Sequence, residues 1–146
     1  MQNKGHWRYA PRDLDPDNAV GFVYMIVDKA NNSKYIGKKQ YRGRGRLNRG
    51  VPSNWKVYTS SSKELNERIR QRGKGQFTFI ILEQYYTLGG LSFAETWTQV
   101  VCETPSRNEE FMNRFIDKVT WKVTEPITKR HKERLKSWLK RTTFRS

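Results

Sequence analysis

The sequence predicts an α+β domain built on a small three-stranded sheet, mixed or antiparallel, with flanking helices and a basic helix at its C-terminal end. Two short runs rich in β-branched and aromatic residues flank a turn, and a third run, FTFIILEQY, lies between two helical patterns. The chain has 146 residues, which is enough for one domain that buries roughly two-thirds of its surface. We therefore expect a single domain.

A β-hairpin is predicted near the start of that domain. Residues 20–28, VGFVYMIVD, have the composition of a strand, residues 30–33, ANNS, favour a turn, and residues 34–37, KYIG, favour a short return strand. The preceding residues 1–18 show no usable period, which predicts an arm that is either mobile or packed against the domain.

A basic segment and the clearest helix signal follow the hairpin. Residues 38–52 carry six basic side chains, three glycines and no acid, so we expect a loop or a weak helix there. Residues 61–73 predict a helix, since Ser61 and Glu64 have the spacing of a capping box and Gly73 stands where a helix would end.

The chain then continues with a strand and a second helix. Residues 77–85 have the pattern of a buried strand. A helix is predicted from Ser92 to about Glu103, because Pro105 cannot continue it. Residues 109–117 favour a short helix or irregular structure.

The last predicted element is an amphipathic helix over residues 127–140. Its apolar side is formed by Ile127, Leu135, Trp138 and Leu139. From residue 122 onward nine Lys or Arg stand against two acids. We therefore expect three parts, an arm over 1–18, a domain over 19–118 and a basic helical extension over 119–146.

Composition indicates a folded protein with a polyanionic partner. Lys and Arg number 29 and Asp and Glu 14, a formal net charge of +15, while aromatic residues make up 13% of the chain. Disordered chains are poor in aromatic residues. We therefore expect a folded, basic protein that binds nucleic acid rather than a membrane surface.

The sequence also excludes several protein classes. The single Cys102 cannot form an internal disulfide, and His6 and His131 supply no Cys/His cluster with the spacing of a zinc site. No apolar run approaches the ~18 residues of a membrane span, and the first residues lack the apolar region of a signal peptide. We expect a cytoplasmic protein.

Chemically active side chains occur in a suggestive order. Tyr24 and Tyr35 come from the two strands of the hairpin, Lys38 and an arginine-rich segment follow, and Glu95 lies in the predicted second helix. Tyrosines in strands usually only pack, and Glu95 could equally reach back to Ser92 in a capping box. These residue types alone therefore leave packing and catalysis both open.

Taken together, the order resembles the GIY-YIG nuclease family. The family carries two short half-motifs, Gly-Ile-Tyr and Tyr-Ile-Gly. FVY at 22–24 keeps only the tyrosine of the first half-motif, whereas the second is intact as YIG at 35–37 and is followed by a lysine. LSFAE at 91–95 is similar to the family helix with its metal-binding glutamate, and Asn113 is similar to a later family asparagine.

The resemblance covers residues 21–116 and is closest to small phage-type GIY-YIG endonucleases. Trp55, Tyr58 and the segment SSKEL at 61–65 carry that closer likeness. The resemblance implies a phage-encoded DNA endonuclease that hydrolyses phosphodiester bonds with one divalent cation, Mg²⁺ or Mn²⁺, in the cytoplasm of the host cell.

The same resemblance implies a role for each motif residue. Glu95 would bind the cation. Tyr24, made more acidic by neighbouring positive charge, would orient or deprotonate the attacking water, and Tyr35 would hold a phosphate oxygen or its partner tyrosine. Lys38 would offset the charge of the transition state, and Asn113 is counted among the catalytic residues.

Further positive side chains are expected to complete the site and to hold double-stranded DNA. The arginine that assists Lys38 is expected to be Arg46 first and Arg44 second. The residues expected to contact phosphates are Lys39, Arg42, Arg49, Lys129, Arg130, Lys132 and Lys136. The basic C-terminal helix would then act as a clamp on the DNA.

Other interpretations stay open beside this one. The main alternative function is a non-catalytic nucleic-acid-binding module on a nuclease-like shell, because the first half-motif is altered; binding to an RNA-rich assembly is a third. Trp55, Tyr58 and Trp97 are expected to pack, His131 to be solvated and Cys102 to be buried. The oligomeric state is left open, a monomer included.

Overall fold

The computed structural model describes residues 2–8 and 13–142, with side chains up to residue 139. Parts of the predicted arm and of the C-terminal extension, residues 1, 9–12 and 143–146, lie outside the described residues. The strands and helices are β1 (Gly21–Asp28), β2 (Lys34–Gln40), α1 (Lys63–Arg72), β3 (Phe77–Tyr85), α2 (Leu88–Val101) and α3 (Lys129–Thr142).

The predicted α+β class with a three-stranded sheet is confirmed, and the sheet is antiparallel. Its strand order is β2-β1-β3. The hairpin of β1 and β2 pairs Tyr24 with Gly37 and Val23 with Lys38. The pairing of β1 with β3 contains an irregularity between Val23 and Tyr24. Every residue of the central strand β1 is buried.

Side chains of β1 alternate between two cores, one on each face of the sheet. Phe22, Tyr24 and Ile26 face α1 and join a core rich in aromatic residues. Phe22, which stands where the family motif begins, is fully buried against Trp7 and Trp55. The altered half-motif therefore serves the packing of this face.

The described part of the N-terminal arm is packed against the sheet. The Trp7 indole N–H donates to the Trp55 carbonyl at 2.6 Å, and the Arg8 N–H donates to the Phe79 carbonyl at 2.6 Å. Leu14 is buried in the same aromatic core. Of the two conformations expected for the arm, the packed one is observed for the described residues.

The opposite face of the sheet is covered by α2 and α3. Leu91 and Ala94 of α2 and Leu135 of α3 are buried in this second core. Cys102 is buried there as expected. Trp55 is also buried as predicted, while Tyr58 and Trp97 are partly buried against the two cores.

The prediction that His131 is solvated is wrong. His131 is fully buried between α3 and α2. Thr98 donates its hydroxyl to the Ala94 carbonyl at 2.6 Å, so its oxygen accepts from His131 Nε2 at 2.8 Å. The Tyr85 hydroxyl then donates to His131 Nδ1 at 2.8 Å. The neutral ring is fully hydrogen-bonded, which is why a basic helix can bury it.

The second helix begins earlier than predicted. Thr87 caps α2 by accepting the Gly90 N–H at 3.0 Å. An added Cβ at Gly89 would lie 2.8 Å from the carbonyl carbon of Lys122, and one at Gly90 would lie 2.8 Å from Cβ of Glu125. The two glycines therefore belong to the first turn because the segment around residues 122–125 packs directly on it.

Smaller differences concern α1 and β2. The N-cap of α1 is Ser62, whose hydroxyl accepts the Leu65 N–H at 3.1 Å, rather than Ser61. The return strand β2 extends three residues beyond its predicted end. Residues 109–117 are irregular, which is one of the two conformations expected for them. Within residues 2–8 and 13–142, no helix combines the length and apolar character needed to cross a bilayer.

Candidate active site

The site is built at the outer edge of β2. The first half of that edge is covered by the segment after α2, since the Lys34 N–H donates to the Glu110 carbonyl and the Met112 N–H to the Lys34 carbonyl, both at 2.7 Å. The Asn113 amide continues this pairing: it accepts the Ile36 N–H at 2.9 Å and donates to the Ile36 carbonyl at 2.8 Å.

Asn113 therefore acts like one more strand residue. Both ends of its buried amide are occupied by the backbone of Ile36. Because both of its polar atoms bond to the backbone, the Asn113 side chain fixes the conformation of the Tyr35-Ile36-Gly37 segment. This geometry supports a positioning role for Asn113.

Three tyrosines cluster on the α1 face of the sheet. Tyr24 and Tyr35 have ring centroids 6.3 Å apart, and Tyr24 and Tyr58 have centroids 6.1 Å apart in an edge-to-face arrangement. Tyr24 is 1% exposed and lies close enough to Tyr58 to affect its pKa, and Ser61 adjoins both Tyr35 and Tyr58.

The glycine of the second half-motif makes room for this cluster. Gly37 pairs with Tyr24 across the hairpin. A Cβ at Gly37 would lie 2.6 Å from Cζ of Tyr24, and closer still to its hydroxyl oxygen. A strand residue with any side chain would therefore displace the phenol.

The expectation that positive charge makes Tyr24 more acidic is wrong. Burial raises the pKa of Tyr24 well above its usual value, and neighbouring Tyr35, Tyr58 and Glu95 raise it further. Burial also raises the pKa of Tyr35, partly opposed by the hydrogen bond from Ser61. Both phenols are therefore protonated at neutral pH and act as hydrogen-bond donors.

Lys38 and Glu95 form an ion pair beside the tyrosines. Lys38 Nζ lies 2.8 Å from Glu95 Oε1, with side chains 27% and 5% exposed. Burial raises the pKa of Glu95, Lys38 lowers it, and Asp117 raises it again. Because α2 is capped at Thr87, Ser92 lies inside the helix and the capping box that would have used Glu95 does not form.

The two halves of the site come from opposite faces of the sheet and meet at its edge. Tyr35 projects toward the α1 face, as its pairing with Ile26 requires, whereas Lys38 pairs with Val23 and projects toward α2. The Glu95 charge raises the pKa of Tyr24 and Tyr35. The structure thus brings together two phenols, one ammonium and one carboxylate.

The candidate arginines of residues 41–52 do not all lie near Lys38. Arg44 and Arg49 line a cavity of about 400 Å³ together with Lys38. Arg46 is exposed on a turn and lines neither this cavity nor the one beside Tyr35. Arg42 donates to Asp17 at 2.7 Å and to the Gly50 carbonyl at 2.8 Å, so it holds this segment together. The geometry favours Arg44 over Arg46.

The remaining basic residues lie on two sides of the domain. Lys39 is close to the site, with its ammonium 4.1 Å from the Tyr58 ring centroid. α3 instead packs over β3, the edge strand opposite β2. There Arg130 pairs with Glu83 at 3.1 Å, and Lys132 lies 5.8 Å from the Trp97 ring centroid.

The basic helix therefore lies on the opposite face of the sheet from the tyrosines. Lys129 pairs weakly with Glu133 at 4.0 Å, and Lys136 is exposed. These side chains present positive charge on a surface that is distinct from the edge of β2. One duplex would have to pass across α2 to contact both regions.

The donor set fits a hard divalent cation held mainly by water and phosphate. Within residues 2–8 and 13–142 no group of three Asp, Glu, His or Cys could hold a metal. Glu95 provides one carboxylate and Asp117 lies close enough to raise its pKa. Mg²⁺ usually takes one or two carboxylates and keeps several waters. Lys38 occupies Oε1 of Glu95, so a cation would use the other oxygen or displace the ammonium.

Several members of this site were not singled out from the sequence. Asp117 follows no recognisable motif, and only the fold brings it near Glu95 and Tyr35. Ser61 and Tyr58 belong to the residues that carry the closer family likeness, but the sequence predicts packing for Tyr58 and helix capping for Ser61. Gln99 donates to the Ile36 carbonyl at 3.0 Å and reinforces the same strand.

Comparison with known proteins assigns this arrangement to a family. A family model described as "Putative endonuclease segE, GIY-YIG domain" matches residues 7–118. No curated protein and no solved structure matches the chain. The matched region includes both tyrosines, Lys38, Glu95 and Asn113, and it extends further toward the N-terminus than the motifs alone, to the buried Trp7. The chain belongs to the GIY-YIG endonuclease family.

Proposed function

We propose that this protein hydrolyses phosphodiester bonds of double-stranded DNA in a divalent-metal-dependent reaction. The observation that carries the proposal is the meeting of Lys38, Glu95 and Tyr35 beside the outer edge of β2. Lys38 and Tyr35 are partly exposed there, so a DNA backbone can reach them. The net charge of +15 supports binding of a polyanion.

Tyr35 is the phenol that reaches the substrate. It lines a cavity and is only partly buried, while Tyr24 behind it is 1% exposed. Its raised pKa keeps the hydroxyl protonated, so Tyr35 donates a hydrogen bond to a phosphate oxygen or to the attacking water. Tyr24 packs against Tyr35 and Tyr58 from the interior of the domain and so positions both rings.

Lys38 and the neighbouring arginines stabilise the charge that develops on the phosphate. The Lys38 ammonium is partly exposed and preorganised by Glu95, and removal of one such preorganised donor typically costs ~3 kcal/mol of transition-state stabilisation. Arg44 and Arg49 line the cavity on the same side. These side chains attract the phosphate and then resist the build-up of negative charge.

Glu95, assisted electrostatically by Asp117, is the side chain proposed to hold the Mg²⁺ or Mn²⁺ ion. Such an ion, when bound, polarises the phosphoryl oxygens and stabilises the departing 3′-oxygen. Asn113 and Gln99 hold the backbone of Ile36 and thereby the orientation of Tyr35 and Gly37. The resemblance to phage-type endonucleases extends the proposal to a phage-encoded enzyme acting in the host-cell cytoplasm.

The test compares two buried, paired glutamates. Glu95→Gln keeps the size and a hydrogen-bonding side chain but removes the charge; Glu83→Gln does the same on β3, where Glu83 is 1% exposed and paired with Arg130. In a plasmid-nicking assay with Mg²⁺ or Mn²⁺, we expect Glu95→Gln to lose cleavage while binding DNA normally, and Glu83→Gln to cut. Wild-type nicking that persists in EDTA, or cleavage by Glu95→Gln at the wild-type rate, would refute the metal assignment.

A non-catalytic nucleic-acid-binding module is the second candidate. The ion pair at 2.8 Å favours it, because Lys38 neutralises the one carboxylate proposed for the metal. This candidate predicts DNA binding without nicking under every metal condition. Nicking that requires Mg²⁺ or Mn²⁺ and disappears in EDTA would exclude it.

A further inference from the structure

A second cavity adjoins the candidate active site on the α1 face. It has a volume of about 460 Å³ and lies between Tyr35, the start of α1 and the segment 112–117. That volume is within the ~300–1,000 Å³ typical of small-molecule sites. Its lining includes the polar and aromatic side chains of Tyr35, Ser61, Gln99, Phe115 and Asp117. The charged side chains of Lys63, Glu64 and Arg114 also line it.

Gln99 lines this cavity and carries a buried hydrogen-bond acceptor that is unused by the described residues. The side chain is 3% exposed, and its amide nitrogen donates to the Ile36 carbonyl at 3.0 Å. Its Oε1 atom is buried and has no hydrogen-bond partner among the residues that the structure describes. A buried acceptor left unpaired is unfavourable by ~1–3 kcal/mol, so a ligand that donates a hydrogen bond would find a prepared partner.

Phe115 brings an aromatic face to the same cavity. It is 75% exposed, while its neighbours Phe111 and Met112 are buried in the two cores. The ring stands beside a wall that carries hydroxyl, amide and carboxylate groups together with the basic groups of Lys63 and Arg114. A flat ligand with donors on its edge could stack on the ring and pair with those groups at once.

A nucleobase has this chemistry. Its face stacks on aromatic side chains, and its edge carries amino and ring N–H donors for Gln99 Oε1 and for the Asp117 carboxylate. A base inside the double helix could not enter the cavity, because its edge is paired and its faces are stacked. The occupant must therefore be a nucleotide that has left the stack.

We propose that this cavity receives an unstacked nucleobase of the DNA strand whose phosphate lies at Tyr35. The proposal rests on the proposed endonuclease function and narrows its substrate class to duplexes that contain an unpaired nucleotide beside the cut, such as a single-nucleotide bulge. Fully paired duplex binds more weakly because it leaves the cavity unfilled, and it is cut less well because a base must first be extruded.

The test measures binding in EDTA by the full-length protein, so that it does not depend on catalysis. Two otherwise identical duplexes are compared, one fully paired and one with a single bulged 2-aminopurine, whose fluorescence reports its stacking. We expect the bulged duplex to bind about 10-fold more tightly, in line with base–aromatic stacking energies. Fluorescence should change on binding of the bulged probe alone.

Phe115→Ala should remove most of this preference while leaving affinity for the paired duplex unchanged. Phe93→Ala is the matched control, since Phe93 is an exposed aromatic residue that does not line the cavity, and it should keep the preference. Equal affinity of the wild type for the two duplexes, or an unchanged preference in Phe115→Ala, would overturn the proposal.

Cleavage of the same duplexes in Mg²⁺ separates this proposal from the one it rests on. If neither duplex is cut, the endonuclease function fails, and the binding preference still decides whether the cavity takes a base. If both are cut at one rate and bound with one affinity, the endonuclease stands and the base-binding cavity does not.

Discussion

Substitution of Gly37 by alanine tests whether the YIG motif is built around the buried Tyr24 phenol. The new Cβ would lie 2.6 Å from Cζ of Tyr24, a distance at which one of the two must shift. Tyr24 is 1% exposed and enclosed by Trp7 and Tyr58, so it has little free space. Overpacking of this kind typically costs ~1–3 kcal/mol, of which the stiffer unfolded chain returns ~0.4–1 kcal/mol.

We therefore expect Gly37→Ala to lower the free energy of unfolding by ~1–2 kcal/mol, seen as a lower urea midpoint with an unchanged slope. Nicking should fall more than 10-fold, since small misplacements of catalytic groups have effects of this size. Gly75→Ala is the control, because a Cβ at Gly75 meets nothing within 4 Å. Tyr24→Phe removes the hydroxyl oxygen, which is the atom closest to the new Cβ. In that background the loss of stability caused by Gly37→Ala should be smaller.

The reasoning is refuted if Gly37→Ala is as stable as Gly75→Ala. It is also refuted if the cost is the same with and without the Tyr24 hydroxyl. Either result would mean that the strand accommodates a side chain at this position without moving the phenol, and the glycine of the motif would then need another explanation.

The remaining predictions concern pH and salt. Burial lowers the pKa of His131 from 6.5 to about 4. Between these pH values the unfolded chain binds a proton that the folded chain does not, so the free energy of unfolding should fall by up to ~3 kcal/mol as the pH drops from 6.5 toward 4. Urea titrations of His131→Gln should show a weaker dependence of stability on pH. Burial raises the pKa of Glu95, so nicking should decline on acidification at a pH above the 4.5 of a free glutamate; an acid limb below 4.5 would contradict the raised pKa. Arg44→Ala with Arg49→Ala should lower DNA affinity evenly across sequences and flatten the salt slope by ~2, and an unchanged slope would remove both from the interface.

Local sequence patterns predicted the elements whose cause is local. The hairpin follows from two β-branched runs around ANNS, β3 from a continuous apolar run, and α3 from apolar residues at helical spacing. The start of α2 was predicted four residues late, because Gly89 and Gly90 favour a loop by themselves. Their place in the helix is decided by residues 122–125, which pack against them from more than thirty positions away.

The candidate site divides in the same way. The family order of Tyr24, Tyr35, Lys38 and Glu95 was visible in the sequence, and the fold places all four at one edge. The protonation state of Tyr24 was not visible in the sequence, because its pKa depends on burial and on neighbouring charges that residue spacing does not reveal.

By itself, the sequence determined the class of the fold, the basic character and the family of this protein, because those are carried by composition, period and motif order. Only the tertiary structure decided that Asn113 pairs with a strand, that His131 is buried and that Arg44 rather than Arg46 adjoins Lys38. Each of these depends on contacts between distant segments, whose free energy is set by burial and geometry and leaves no local pattern in the chain.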